Sequence, residues 1–274
     1  MRPLRHARLL LASACAALVG AAAAAPTADA ATPPQPTPGA RAAGIVKPGE
    51  AYLGWNNPSP RATPRPQATG GVPGIDVSGW QGNVDWQGQW NLGKRFAYVK
   101  ATEGTGFRNS SFTQQYNGSY DVGMIRGSYH FALPDRSTGA AQAEYFARNG
   151  GGWSRDGKTL PGVLDIEYNP YGATCFGLSQ SAMVNWISSF TTRYKQLTGR
   201  DAVIYTTTDW WKTCTGSTTR FGATNPLWIA RYASTPGELP AGWGYYTFWQ
   251  YSDTPIDQDT FNGDLTRLRA LATG

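Results

Sequence analysis

Histidine is almost missing from this chain: there are two in 274 residues, and His6 lies in the basic start of the sequence. That leaves His130 as the only imidazole in the remainder, so zinc sites built on several His or Cys, and Ser-His-Asp arrangements that could use another His, have little support. Neither a metal nor a cofactor is expected. Cysteine is as scarce, with Cys15, Cys175 and Cys214 only. Long apolar runs are also lacking, because nothing after the first 30 residues approaches the roughly 20 uninterrupted apolar residues of a membrane span. An excess of positive charge is present on paper, at net +6, but the first 73 residues hold 7 of the 24 Lys and Arg and only 2 of the 18 acids. The remainder is close to neutral, which argues against a nucleic-acid-binding face.

The same first 73 residues divide in two. Residues 1–30 have a basic start (Arg2, Arg5, Arg8), an apolar stretch from Leu9 to Ala25 and an Ala28-Asp29-Ala30 cleavage site. Together these read as a secretory signal, with cleavage nearer Ala25 as the alternative, and imply a secreted, extracellular protein. In an oxidising compartment Cys175 and Cys214 are expected to pair. Closing a loop of that length stabilises the fold by roughly 4 kcal/mol in the chain-entropy picture. Residues 31–73 are rich in Pro, Ala, Thr and Gly and predict a flexible linker or pro-region, because they cannot bury enough apolar surface to offset ordering. A short "GIVKPGEAYLGW" inside it has some apolar content and suggests local packing without a role. The folded unit is residues 74–274.

What that unit has in plenty is aromatic surface: 10 of the 11 Trp, 13 of the 14 Tyr and all 10 Phe. Some of this must be core, and the rest suits a cleft that stacks on sugar rings. Strands are predicted at 74–80, 96–104, 124–132, 162–168, 202–208, 227–232 and 246–252. Helical patterns run through 112–122, 138–149 and from about Asp264. The clearest helix starts at the N-cap Ser179, carries Met183, Trp186, Ile187, Phe190, Tyr194 and Leu197 on one stripe, and ends at Gly199. Strands alternating with helices indicate a parallel sheet, open or closed. The late strands have no long helix between them, so a regular eightfold repeat is not expected.

Within "VLDIEYNP" (163–170), Asp165 and Glu167 project from the same side of a strand and share one environment. Alone, such an alternation is as readily a solvated strand face. However, Asp76, Glu103, His130, Arg231 and Gln250 also fall at or near the C-terminal ends of their strands, where barrel enzymes build their sites. Individually Glu103 could pair with Lys100, and His130 could be a satisfied core residue. Together, carboxylates without a His cluster in an aromatic-rich domain point to glycoside hydrolysis, in which one carboxylic acid protonates the leaving oxygen and others stabilise an oxocarbenium-like centre. Crowding and burial raise one pKa and keep that group protonated.

"GIDVSGWQG", "YVKATEGTGFRN", "GSYHF", "LDIEYNP", "LWIARY", "FWQYSD" and "IDQDTFNG" resemble, in order and spacing, the family 25 glycoside hydrolases, the Chalaropsis-type lysozymes, most closely those secreted by actinobacteria. The resemblance covers residues 74–274 and none of the linker. It implies an α/β fold, an irregular, flattened TIM-like β/α barrel with an incomplete helix complement. It also implies an N-acetylmuramidase cutting the β-1,4 bond between N-acetylmuramic acid and N-acetylglucosamine in bacterial peptidoglycan, acting as a monomer. By motif, Glu167 is the general acid and Asp165 orients the 2-acetamido group or stabilises the developing charge. Asp76, Glu103 and Asp257, selected over Asp259, complete the acidic set. Tyr129, Tyr168, Tyr205, Arg231, Trp249 and Gln250 are the expected substrate contacts. The rival readings are a chitinase-like glycosidase, which shares the D-x-E and the barrel, and a non-catalytic cell-wall glycan-binding protein. Retaining, inverting and substrate-assisted routes remain open, and the D-x-E pair is similar to that of substrate-assisted enzymes.

Overall fold

Inward-facing rings and outward-facing aliphatics alternate along the strands, and this alternation is what closes the sheet. The computed structural model describes residues 47–55, 57 and 70–274, all within one unit. Residues 1–30, read above as a secretory signal, and most of residues 31–73 lie outside the described residues. Nine strands are described: β1 (Val72–Val77), β2 (Phe96–Glu103), β3 (Phe107–Arg108), β4 (Ile125–Phe131), β5 (Val163–Asp165), β6 (Val203–Thr206), β7 (Leu227–Ala230), β8 (Phe248–Ser252) and β9 (Gln258–Phe261). β1, β2, β4, β5, β6, β7 and β8 run parallel, and β9 closes the barrel by pairing antiparallel with both β8 and β1. β3 is a short antiparallel flap on the end of β2.

Phe96, Tyr98, Val163, Val203, Tyr205, Trp228, Phe248 and Phe261 fill the barrel. Their rings meet at centroid distances of 4.9 Å (Tyr98 to Trp228) and 5.3 Å (Phe96 to Phe248). The space for these rings comes from small neighbours, since a Cβ at Gly74 would collide with the Phe96 ring and one at Gly127 with that of Tyr98. The outward residues Leu164, Ile166, Ile204 and Ile229 pack against the helical layer.

That layer is uneven. The helices are α1 (Trp86–Asn91), α2 (Phe112–Asp121), α3 (Gly139–Arg148), α4 (Gln180–Thr198), α5 (Thr208–Thr215) and α6 (Leu265–Thr273). α4 begins as predicted, with the Ser179 hydroxyl accepting from Ala182 N–H, and ends on Gly199 at φ 76°. Leu197 departs from the predicted stripe: it is 40% exposed, because 3.6-residue periodicity carries the last turn past the sheet. No described helix lies between β7 and β8. α1, α5, β3 and β9 were not anticipated from the sequence, being too short to establish a period. The first strand begins at Val72, two residues before the predicted one.

Candidate active site

The strand ends at one mouth of the barrel bring the predicted carboxylates together. Asp76 near the end of β1, Glu103 at the end of β2, Asp165 at the end of β5 and Glu167 just beyond it are all at most 2% exposed. β5 is shorter than predicted and stops at Asp165, so Glu167 sits past the sheet rather than within a strand. Asp257 precedes β9, and its antiparallel course brings it to the same mouth. Asp259 lies one layer deeper, level with Gly74 of β1 and Gln250 of β8.

Each carboxylate has a distinct environment. Gln250 donates to Asp76 Oδ2 at 2.8 Å and accepts from the hydroxyls of Tyr205 at 2.7 Å and Tyr232 at 3.1 Å. This amide ties β1, β6 and β8 to the loop after β7. Glu103 is paired with the buried Lys100 at 2.6 Å. Burial, opposed by the Glu103 charge, pulls the Lys100 pKa down. The other Glu103 oxygen accepts from the Tyr171 hydroxyl and from Gly49 N–H. Glu167 Oε1 accepts from Gly54 N–H at 2.6 Å. The carboxyl oxygens of Asp165 accept no hydrogen bond from the described residues.

Burial dominates the electrostatics. It pushes Asp165 well above the ordinary carboxylate range, helped by the charge of Glu167 and opposed by Lys100. Asp76 and Asp259 are raised in the same way, by burial and then by neighbouring acid, Asp259 beside Asp76 and Asp257 beside Asp259. Neighbouring carboxyls oppose one another's ionisation, so this cluster holds protons more readily than isolated acids in water would.

The expected substrate contacts separate into three groups. Tyr129, Tyr205 and Gln250 are buried in the floor, and burial raises the Tyr129 hydroxyl, with further contributions from Asp76, Asp165 and Asp257. Tyr168 and Arg231 stand at the rim: Tyr168 donates to Asp209 Oδ2 at 3.0 Å, and Arg231 to the carbonyl of Thr235 at 3.1 Å. Trp249 is a correction. It alternates with Gln250 along β8, so it faces the helical layer, packs beside Tyr251 and donates to the carbonyl of Arg231.

Sequence reasoning passed over Lys100, Tyr171, Tyr232 and Trp80. Lys100 left a signal, because it follows Phe96 and Tyr98 on the inward side of β2. His130 is a core residue. Its Nε2 donates to Gln142 Oε1 at 2.9 Å, its Nδ1 accepts from the Thr102 hydroxyl at 2.8 Å, and its ring stacks on Phe190. Cys175 and Cys214 form the expected disulfide, with Cα atoms 5.3 Å apart. Among the described residues no helix is long and apolar enough to cross a membrane.

A barrel with clustered acids at one mouth belongs to many enzyme families, and comparison with known proteins narrows the choice. The profile of Glycosyl hydrolases family 25 matches residues 75–260. The chain belongs to this family. It is 50% identical over 265 residues to Lysozyme M1 of Streptomyces globisporus, covering 90% of this chain and 88% of that protein. It is 49% identical to the N,O-diacetylmuramidase of Chalaropsis sp, covering 74% of this chain and all of that one. Among solved structures, the muramidase from Acremonium alcalophilum superposes with a TM-score of 0.73 at 63% identity, over 74% of this chain and 99% of its own. As a family 25 member the chain is a glycoside hydrolase with the TIM-like barrel, which settles fold class and enzyme class as the sequence motifs implied.

Proposed function

We propose that this glycoside hydrolase is a secreted, monomeric muramidase that cleaves the β-1,4 bond after N-acetylmuramic acid in bacterial peptidoglycan. The observation that carries the reading is the convergence of Asp76, Glu103, Asp165, Glu167 and Asp257 at one barrel mouth, in a chain about half identical to a lysozyme and an N,O-diacetylmuramidase.

Glu167 is the proton donor in this reading. It lies outside the strand, where it can reach a glycosidic oxygen, while Asp165 lies beside it on the floor. Burial and the Glu167 charge raise Asp165 above the ordinary carboxylate range, so ionisation of one member of the pair disfavours ionisation of the other. Asp165, with no hydrogen bond from the described residues, has acceptor capacity for the N–H of a 2-acetamido group. Holding that N–H directs the acetamido oxygen at the anomeric carbon, which is the substrate-assisted route, and the first product then keeps its β configuration. Lys100, paired with Glu103, offsets part of the negative charge of the cluster. Tyr168 and Arg231 are placed to contact the glycan at the rim.

The position of the cut tests the reading. Borohydride reduction of a peptidoglycan digest should label muramic acid at the new reducing ends. Labelled glucosamine in its place would make the enzyme a glucosaminidase, and efficient turnover of chitin oligomers would favour the chitinase-like alternative.

A further inference from the structure

Tyr52 and Trp55 are the only Tyr and Trp outside the predicted domain, and both are buried in its cleft, at 2% and 6% exposure. Residues 47–55 begin on the Glu103 side of the cleft, and Asn57 lies at the rim with Tyr168 and Arg231. At the first end Gly49 N–H donates to Glu103 Oε1 at 2.9 Å, the Lys47 carbonyl lies 3.2 Å from the Tyr171 hydroxyl that donates to Glu103, and Lys100 donates to the carbonyls of Gly49 and Ala51. At the centre Gly54 N–H donates to Glu167. Trp80, from the turn after β1, donates to the Glu50 carbonyl and stacks on Trp55 at 6.1 Å and 24°. A hollow beyond one end is lined by Pro48, Glu103, Phe107, Leu133 and Tyr171, and one beyond the other by Asn57, Tyr168, Asp209 and Arg231.

These contacts use the groups an acetamido sugar would use: amide N–H on a carboxylate, carbonyl on an ammonium, flat ring on an indole. They also require glycine. Gly54 has φ +78°, and a Cβ there would collide with the Tyr232 hydroxyl and come within 3.0 Å of Gln250 Oε1. Gly49 has φ +93°, and a Cβ there would collide with the Phe107 ring. An unfitted linker would have no need of two left-handed glycines at these points. With the segment seated, Glu167 is 1% exposed, which bars a polymeric glycan from the acid.

We propose that residues 47–57 are a built-in occupant of the glycan cleft, and that they hold the enzyme inactive until the segment is cut away or displaced. The inference rests on the muramidase reading of the same site. Arg61, in the Pro-rich stretch before β1, is the nearest basic cleavage point on the C-terminal side of the segment, since Arg65 precedes Pro66. A cut there converts a contact with millimolar effective concentration into a bimolecular one, so the segment leaves at ordinary protein concentration.

The test uses three full-length chains: wild type, Gly54→Leu, and one with a specific protease sequence at 60–65 assayed before and after cutting. Clearing of peptidoglycan and amide hydrogen exchange at residues 47–57 are both followed. The expected result is protection of 47–57 in the intact wild type, loss of protection in Gly54→Leu, and clearing at least tenfold faster in Gly54→Leu and in the cut chain. Clearing by intact wild type as fast as by those two, or exchange at 47–57 without protection, would overturn the proposal. If protection is lost in Gly54→Leu and no chain clears the wall, the muramidase reading fails and inhibition fails with it, while the seating contact stands.

Discussion

Asp165 and Glu167 are one residue apart, yet the end of β5 falls between them and gives them different neighbours. Asp165 is wholly buried, its carboxyl accepts no hydrogen bond from the described residues, and burial raises its pKa well above the usual range. A carboxyl kept in that state is an energetic cost that function has to justify. Asp165→Asn is therefore expected to lower the clearing rate by about 10²-fold or more while leaving the melting temperature at neutral pH unchanged or higher. A variant that melts lower would show that Asp165 has a structural role. His130 is the converse case. Burial lowers its pKa from 6.5 to about 4, so the folded imidazole binds fewer protons than the unfolded one between those values. Stability from this group is present above about pH 6.5 and lost as the pH falls towards 4, by an amount on the order of 3 kcal/mol. The NMR titration of His130 should show its midpoint near 4, and a midpoint near 6.5 would contradict the burial. The buried acids Asp76, Asp165 and Asp259 act with opposite sign, since their raised pKa values make stability fall as the pH rises from about 4.

At the scale of elements, α3 and α4 pack together over the outer face of the barrel, and Gly139 in the first turn of α3 sets their approach. A Cβ at Gly139 would collide with the Trp186 carbonyl and lie 2.7 Å from Phe190 N, both backbone atoms of α4. Gly139→Val should cost about 1–3 kcal/mol or more, because backbone on both sides cannot yield cheaply. A denaturation midpoint unchanged by the substitution would show that the helices can separate freely. α4 was legible in the sequence because its cap, apolar stripe and terminal glycine agree. α1, α5 and β9 were not, because six, eight and four residues are too few to establish a period. The acidic set was legible because the strands are parallel, which brings their C-terminal ends to one mouth. Lys100 and Trp80 were missed because one reads as the partner of a nearby acid and the other as core. Trp249 was expected as a substrate contact beside Gln250 because the motif was read without the alternation of β8, which turns it to the helical layer.

For the whole molecule, the reading of residues 31–73 as a featureless linker needs revision at 47–55, where the chain crosses the mouth of its own barrel. The acids of the site lie buried beneath this segment, so what makes the site competent is distinct from what covers it. The central claim is that Glu167 supplies the proton for glycosidic cleavage. It is tested most directly by clearing of purified peptidoglycan with Glu167→Gln in the Gly54→Leu background, beside Gly54→Leu alone. The account predicts a loss of roughly 10²–10⁴-fold at neutral pH with the fold intact by circular dichroism. Clearing by Glu167→Gln at the rate of its parent would contradict it.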